Sequence, residues 1–332
     1  MKARLKMFPL PLPVLMLVFG LILAGRVAAQ TVTTLVVGGF NISRSADVSI
    51  PSGGYCTEMR AALSSNFTNL SFVSMPILTE SNLAGVDLLI LSPGNTTTSD
   101  GTPLSSDEQS ALLSFVSQGG GVMLLTDNYS YAPNAAAEEM AMLSVFGSKG
   151  FGTTTGLTVA QVISPPSQPV TSGSFGTVTT FTQYFAGAIT NLGPYATAVA
   201  TNVLGVALAV IPHGALNPGS GAVAIFSDGN TFGDDNGDGA QGYFSSNEAL
   251  FLNTVTWTRR TNWIPKLYIQ SALGKVVVSW PAAASGFSLD SSAALGAGAL
   301  WQPVGSITNV LGTLNVVTND ITSVPQFYRL RK

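Results

Sequence analysis

The run Val86-Asp87-Leu88-Leu89-Ile90-Leu91 is apolar but for one acid and stops at Ser92-Pro93-Gly94-Asn95. An amphipathic segment from Ser105 to Gln118 then leads through Gly119-Gly120-Gly121 into a second apolar run, Val122-Met123-Leu124-Leu125-Thr126. Continuous apolar runs of this length, separated by a helical segment, predict parallel strands buried on both faces, joined as a βαβ unit. In open sheets of that kind ligands sit beyond the carboxyl ends of the strands. Here those ends are Ser92 to Thr98 and Asp127 to Tyr131.

The same periodicities extend along the chain. Thr33 to Gly39 predicts a first strand, Tyr55 to Ser64 a helix containing Cys56, and Leu70-Ser71-Phe72-Val73 a second strand. Ala135 to Phe146 predicts a helix with Ala136, Met140 and Leu143 on its apolar face. Glu138 and Glu139 fall near its start, where acids suit the helix dipole. From Gly147 to Asn202 short Thr, Val and Gly stretches broken by prolines predict a β-rich insertion. Parallel strands are expected to resume at Val206 to Ile211 and Ala222 to Phe226, before a closing helix from Ser246 to Arg259. Beyond Thr261 to Pro265 only short alternating runs remain, as expected for a small antiparallel β-sandwich. The expected fold is therefore α/β with a small all-β domain behind it, the two divided as residues 31–260 and 263–332.

Composition adds the compartment. Lys2, Arg4 and Lys6 precede the apolar stretch Leu10 to Ala24, and Val27-Ala28-Ala29 offers the small residues of a cleavage site before Gln30. Residues 1–29 are thus expected to be a signal peptide, with the protein secreted or at the cell surface and no membrane span left after cleavage. Without Lys2, Arg4, Lys6 and Arg26 the chain keeps ten basic and 17 acidic side chains, a net charge of -7, and has no basic cluster. That argues against nucleic acid as a partner and leaves an extracellular glycan or protein ligand. Cys56 is the only cysteine, so no disulfide can form within the chain.

Two resemblances follow from these stretches. Val86 to Pro93, Leu112 to Leu125, and Ala222 to Trp257 with its Ser227-Asp228-Gly229-Asn230 turn resemble the glutamine-amidotransferase-like superfamily, specifically its extracellular branch without evident catalytic residues. That resemblance implies a flavodoxin-like parallel sheet flanked by helices. Residues 263–332, with Leu267-Tyr268-Ile269, Val276 to Pro281, Gly286-Phe287-Ser288-Leu289, Trp301 and Phe327-Tyr328-Arg329-Leu330, resemble a C-terminal module attached to many secreted bacterial proteins. Read from the residues themselves, Trp280, Phe287, Trp301 and Phe327 are core aromatics of a small sandwich.

Active members of the superfamily carry a cysteine on the turn after a central strand and a histidine base. The matching turn here is Thr126-Asp127-Asn128, without a thiol, while Cys56 lies far upstream. The single histidine, His213, follows a strand but has no acid beside it. There is no Gly-x-Ser-x-Gly and no P-loop. The leading expectation is a non-catalytic binding or scaffold protein whose ligand surface comprises Ser92, Asn95, Asp127, Asn128, Asp228 and Asn230. A hydrolase of glycans or peptides is the alternative, using Asp127, Asp228 and Glu248 from two strand ends and one helix start. A third expectation is a surface protein whose C-terminal module mediates sorting or attachment. Asp234, Asn236 and Asp238, with Gly239 following, form the opening half of a calcium loop. However, Ser245 stands where the closing Glu belongs, so a Ca2+ site and a solvated acidic turn both remain open.

The cleavage-site spacing generates a direct expectation: material recovered outside the cell begins at Gln30 on N-terminal sequencing. Retention of Met1 in a membrane fraction would refute it.

Overall fold

The computed structural model describes residues 34–93, 102–130, 134–235, 242–260, 267–272, 274–281, 287–296, 298–311, 314–321 and 325–331. Residues 1–29, expected to be a signal peptide, Asn95, Asn236, Asp238 and the expected boundary Thr261 to Pro265 lie outside them. An 11-stranded sheet dominates the larger part. Its strands are β1 (Thr34–Phe40), β2 (Asn69–Met75), β3 (Leu88–Leu91), β4 (Gly121–Leu125), β5 (Lys149–Phe151), β6 (Leu157–Val162), β7 (Thr180–Tyr184), β8 (Ala188–Asn191), β9 (Thr197–Thr201), β10 (Val206–Ile211) and β11 (Val223–Phe226). The longer helices beside it are α1 (Thr57–Asn66), α2 (Ser106–Ser117), α3 (Ala135–Leu143) and α4 (Phe244–Thr258).

One half of the sheet is parallel, in the order β2-β1-β3-β4-β11. This is the flavodoxin-like 2-1-3-4-5 arrangement, with β11 as the fifth strand. Every residue of β3, β4 and β11 is buried, because side chains alternate between two covered faces. Leu88, Ile90, Met123, Leu125, Ala224 and Phe226 join the core under α1 and α4. Leu89, Leu91, Val122, Leu124, Val223 and Ile225 join the one under α2 and α3. The start of α2 is fixed by a reciprocal capping box in which Ser105 Oγ accepts from Glu108 N at 3.3 Å and Glu108 Oε2 accepts from Ser105 N at 3.0 Å.

The other half corrects the expectation that parallel strands resume at Val206. β10 runs antiparallel to β11, and β9, β6 and β7 continue the sheet antiparallel beyond it. The segment after Gly147 is therefore an extension of the same sheet. The connection from Ile211 to Val223 holds no helix, and a link that short returns a strand antiparallel instead of crossing over a face.

The C-terminal strands form two antiparallel sheets. One contains β12 (Tyr268–Ala272), β13 (Lys275–Pro281), β16 (Asn309–Leu311) and β17 (Leu314–Asp320); the other contains β14 (Ser288–Ser292), β15 (Gln302–Pro303) and β18 (Phe327–Arg331). Val278, Trp280 and Val317 from the first sheet meet Leu289 from the second, with Phe287 packed against them. Of the four aromatics expected in the core only Trp280 is fully buried; Phe287 is half-buried against the cluster, and Trp301 and Phe327 are half-buried outside it. Arg329 lies 4.5 Å over the Trp301 ring and satisfies it from outside. Among the described residues no helix is long and apolar enough to cross a membrane.

The three glycines at the entry to β4 have separate physical reasons. Gly119 has φ +91°, which ends α2 in a left-handed turn, and a Cβ on Gly120 would enter the Phe115 ring. A Cβ on Gly121 would lie 2.0 Å from the carbonyl oxygen of Thr258 at the end of α4. Because that obstacle is backbone, Gly121→Ala must displace α4 from the sheet. It should cost about 1–3 kcal/mol in urea unfolding, whereas a substitution within ~0.5 kcal/mol of wild type would show that α4 does not seat on β4.

Candidate functional site

The site is built at the carboxyl ends of β4 and β11. Those strands pair in parallel with Leu125 opposite Phe226, and Thr126 N continues the ladder by donating to Phe226 O at 2.9 Å. One further step brings Asp127 level with Asp228 on neighbouring chains, whose backbones in a sheet stand about 4.8 Å apart. Asp127 Oδ1 accepts from Asn128 N at 2.6 Å and from Asn128 Nδ2 at 3.0 Å. Its Oδ2 faces the space above Gly229, where a Cβ would sit 3.6 Å from Asp127 Oδ2 and 3.6 Å from Ser92 Oγ. The end of β3 thereby reaches the same small region.

Asp228 is buried and fully engaged. Its Oδ1 accepts from Asn230 N at 2.8 Å, and its Oδ2 accepts from Tyr184 N at 2.8 Å and Thr231 Oγ1 at 3.3 Å. Asn230 ties in the loop before α1, because its Oδ1 accepts from Tyr55 Oη at 2.9 Å while its Nδ2 donates to Tyr184 O at 3.1 Å. Asn128 turns its Oδ1 to Ser130 N at 3.0 Å and Ser130 Oγ at 2.7 Å, which shapes the loop after β4.

A third carboxyl belongs here that the sequence reading missed. Glu139 on α3 is wholly buried, its Oε1 accepts from Asp127 N at 2.6 Å, and the Thr126 hydroxyl lies beside its carboxyl. Glu139 shares the buried stripe of α3 with Ala135 and Met142. An acid on an apolar stripe directly after a strand-end turn was the available signal, and the helix-dipole account of its position hid it. Burial pushes Asp127 up to about 7. Burial and then the charge of Asp127 push Asp228 and Glu139 well above the ordinary carboxyl range. Tyr55 is raised too, by burial first and then by Asp228 and Asp127.

A small cluster of rings adjoins Asp228. Tyr184, which bonds Asp228 through its backbone, has its ring 4.5 Å from that of Phe185 and 6.3 Å from that of Tyr243. Phe185 is 40 % exposed and holds φ at +51°, costly for a bulky side chain. Among the described residues the one other non-glycine with positive φ is Ala46, beside Ser45, whose Oγ donates to Ser92 O at 3.5 Å. Both strained residues thus stand at this end of the sheet.

Other candidates fall elsewhere. Glu248 is exposed on α4 and is not among the groups acting on Asp127 or Asp228, so the expected trio is not assembled; Glu139 stands third instead. Asp234 receives Thr57 N at 3.0 Å and Glu58 N at 2.8 Å, capping the first turn of α1 from a distant part of the chain. Both of its oxygens are committed to helix amides, which accounts for its charge without a cation. Cys56 closes a short 3₁₀ helix, Gly54–Cys56, that leads directly into α1; it is buried, and burial pushes its thiol up to about 12. His213 follows β10 at the opposite end of the sheet, where its Nε2 lies 2.8 Å from Trp257 O.

No family model and no curated protein matches the chain. Solved structures similar to it include a GMP synthase component of Thermoplasma acidophilum. It has 14 % identity, with 68 % of this chain and 94 % of that one covered and a TM-score of 0.42. A glutamine amidotransferase of Methylobacillus flagellatus has 10 % identity, covering 70 % and 98 %, at 0.43. A cold-adapted β-galactosidase of Rahnella sp. R3 has 12 % identity over 87 % of this chain and 41 % of its own, at 0.44. At such scores the strand order itself remains the ground for the fold.

The raised carboxyl of Asp127 has a sign in stability. Its ordinary value is 3.8 and its folded one about 7, so between those values the folded chain holds a proton that the unfolded chain has lost. Stability should therefore fall as pH rises from about 4 through about 7, by at most ~1.4 kcal/mol per pH unit for this one group. Urea unfolding across that range should give a shallower slope for Asp127→Asn. An unchanged slope would mean Asp127 is ionised throughout.

Proposed function

We propose that the chain is a secreted binding protein without catalysis of its own, taking its ligand at the carboxyl ends of β3, β4 and β11. The observation that carries this reading is the engagement of Asp228: both its oxygens are used to hold Tyr184, Asn230 and Thr231 in place. A hydrolase of the two-carboxyl kind needs both groups at the substrate, and among the described residues Asp228 has both oxygens taken while Asp127 Oδ2 has no bond. The thiol route fails as well, since Cys56 is buried with a raised pKa, and His213 lies at the other end of the sheet. Export rests on the leader-like residues 1–29, and the C-terminal β-sandwich is assigned to attachment or sorting.

One observation favours acid–base hydrolysis as a second reading: Asp127 is poised at about 7, where a general base or acid works well. The full chain should be screened against glycan and peptide libraries for retention, with mass spectrometry of the same mixtures for cleavage. Retention of intact ligand is expected. Cleavage products formed by wild type and lost in Asp127→Asn would replace the binding reading with the hydrolytic one.

A further inference from the structure

A cleft lies between the α/β part and the β-sandwich, at the other end of the sheet from Asp127. α2 and its C-cap line it with Ala111, Ser114, Phe115 and Gln118, one stripe of the helix. Glu80, Leu83 and Ala84 reach it from the chain before β3, and Arg260 from beyond α4. Arg260 is anchored at the amino ends of β3 and β4, because its N donates to Asp87 O at 3.1 Å and that oxygen also accepts from Gly121 N at 3.1 Å. The sandwich closes the cleft with Tyr268 of β12 and Leu314 of β17. Those two share the sheet face opposite to Val278 and Trp280, since Tyr268 pairs with Ser279 and Leu314 with Pro281.

The cleft holds about 90 Å3, roughly the room of three waters. Its walls are apolar and fixed. Leu83, Ala111 and Phe115 are buried, and even a Cβ on Gly120 would lie 2.4 Å from the Phe115 ring, so that ring cannot retreat. The Arg260 guanidinium carbon stands 5.5 Å from the centre of the same ring. Burial pushes Arg260 down to about 10, with Asp87 opposing, so the group is charged at neutral pH. Arg260 is half-buried, whereas Glu80, the acid among these residues, is exposed. Glu80 Oε1 accepts from Ser114 Oγ at 3.0 Å, and Ser114 Oγ accepts from Gln118 Nε2 at 2.9 Å, an exposed chain of bonds along α2.

We propose that this cleft binds a small carboxylate with a branched alkyl body, its head group on Arg260 and its body against Leu83, Ala111, Phe115 and Leu314. It is a second site, independent of the ligand surface at the strand ends. A mostly apolar pocket between two folded parts, with few polar groups converging on it, is the usual form of a small-molecule site. The planar guanidinium fork matches a carboxylate through two parallel hydrogen bonds. Water screens the exposed Glu80 more than the half-buried Arg260, so a single negative charge is favoured. A cation would meet Arg260 without a comparable partner. The volume suits an isobutyl group and leaves no room for a sugar ring inside the cleft.

The test is ligand-observed NMR titration of the full chain at neutral pH. The probes are isocaproate, its uncharged analogue isohexanol, the cation isohexylamine, and leucine. Isocaproate should bind at least about tenfold more tightly than isohexanol, a difference worth ~1.4 kcal/mol, and isohexylamine more weakly than either. Arg260→Gln should bring isocaproate down to the affinity of the alcohol while leaving the alcohol unchanged, which shows that the pocket itself is intact. Ala111→Leu, which fills the cleft from α2, should weaken both about tenfold. Leu314→Ala, on the sandwich, should weaken both as well and serves if the Ala111 variant does not fold. Leucine binding more tightly than isocaproate would add an ammonium contact to Glu80, and weaker binding would point to a plain acid; either ranking supports the proposal. Asp127→Asn should leave all four probes unchanged, so the outcome is separate from that of the strand-end reading. Wild-type protein that binds isocaproate no better than isohexanol, or binds neither, overturns the proposal. So does isocaproate binding that survives Arg260→Gln at full strength.

Discussion

The in-register parallel pairing of β4 with β11 is the constraint on which the rest depends. Both strands are buried on both faces, so a slip of one residue would turn Met123, Leu125, Ala224 and Phe226 into the wrong core. That penalty fixes Leu125 opposite Phe226. Asp127 and Asp228 are then brought level because the hydrophobic cores below them admit no other register. The site is a consequence of packing that occurs one residue beneath it.

Carboxyls forced together in this way need local support, and the surrounding loops supply it from separate parts of the chain. Tyr184 N comes from the antiparallel half of the sheet, Asn230 and Thr231 from the turn after β11, and Tyr55 from the loop before α1. Glu139 arrives on α3 and receives the amide of Asp127. Asp228 thus joins the end of β7 at Tyr184 to its own turn, whereas Asp127 Oδ2 has no hydrogen-bond partner among the described residues and lies toward Ser92 and Gly229. The division of labour between two chemically identical side chains follows from the donors that reach each one.

The same logic separates this site from the acidic turn at Asp234. There the carboxylate meets two amides at the start of α1 and its charge is answered by the helix terminus. At Asp127 the donors among the described residues come from Asn128, acids lie nearby, and burial favours the neutral carboxyl.

Periodicity in the sequence was enough for the parallel half of the fold. Continuous apolar runs at Val86 to Leu91 and Val122 to Leu125, a capped helix between them and the glycine run before β4 each reflect local or nearest-neighbour physics, and they appear where expected. The strand-end residues Ser92, Asp127, Asp228 and Asn230 were legible for the same reason, since their position follows from where the runs stop. The direction of β10 was not, because an apolar strand reads alike in either orientation and only the length of its connection and its partner decide. Glu139 and Glu248 are equally acidic residues near helix starts, yet one is buried beside Asp127 and the other exposed on α4. Which face of a helix meets which loop depends on contacts distant in sequence. The tertiary structure alone therefore decided which acids share a site and, among the described residues, which of their oxygens are bonded.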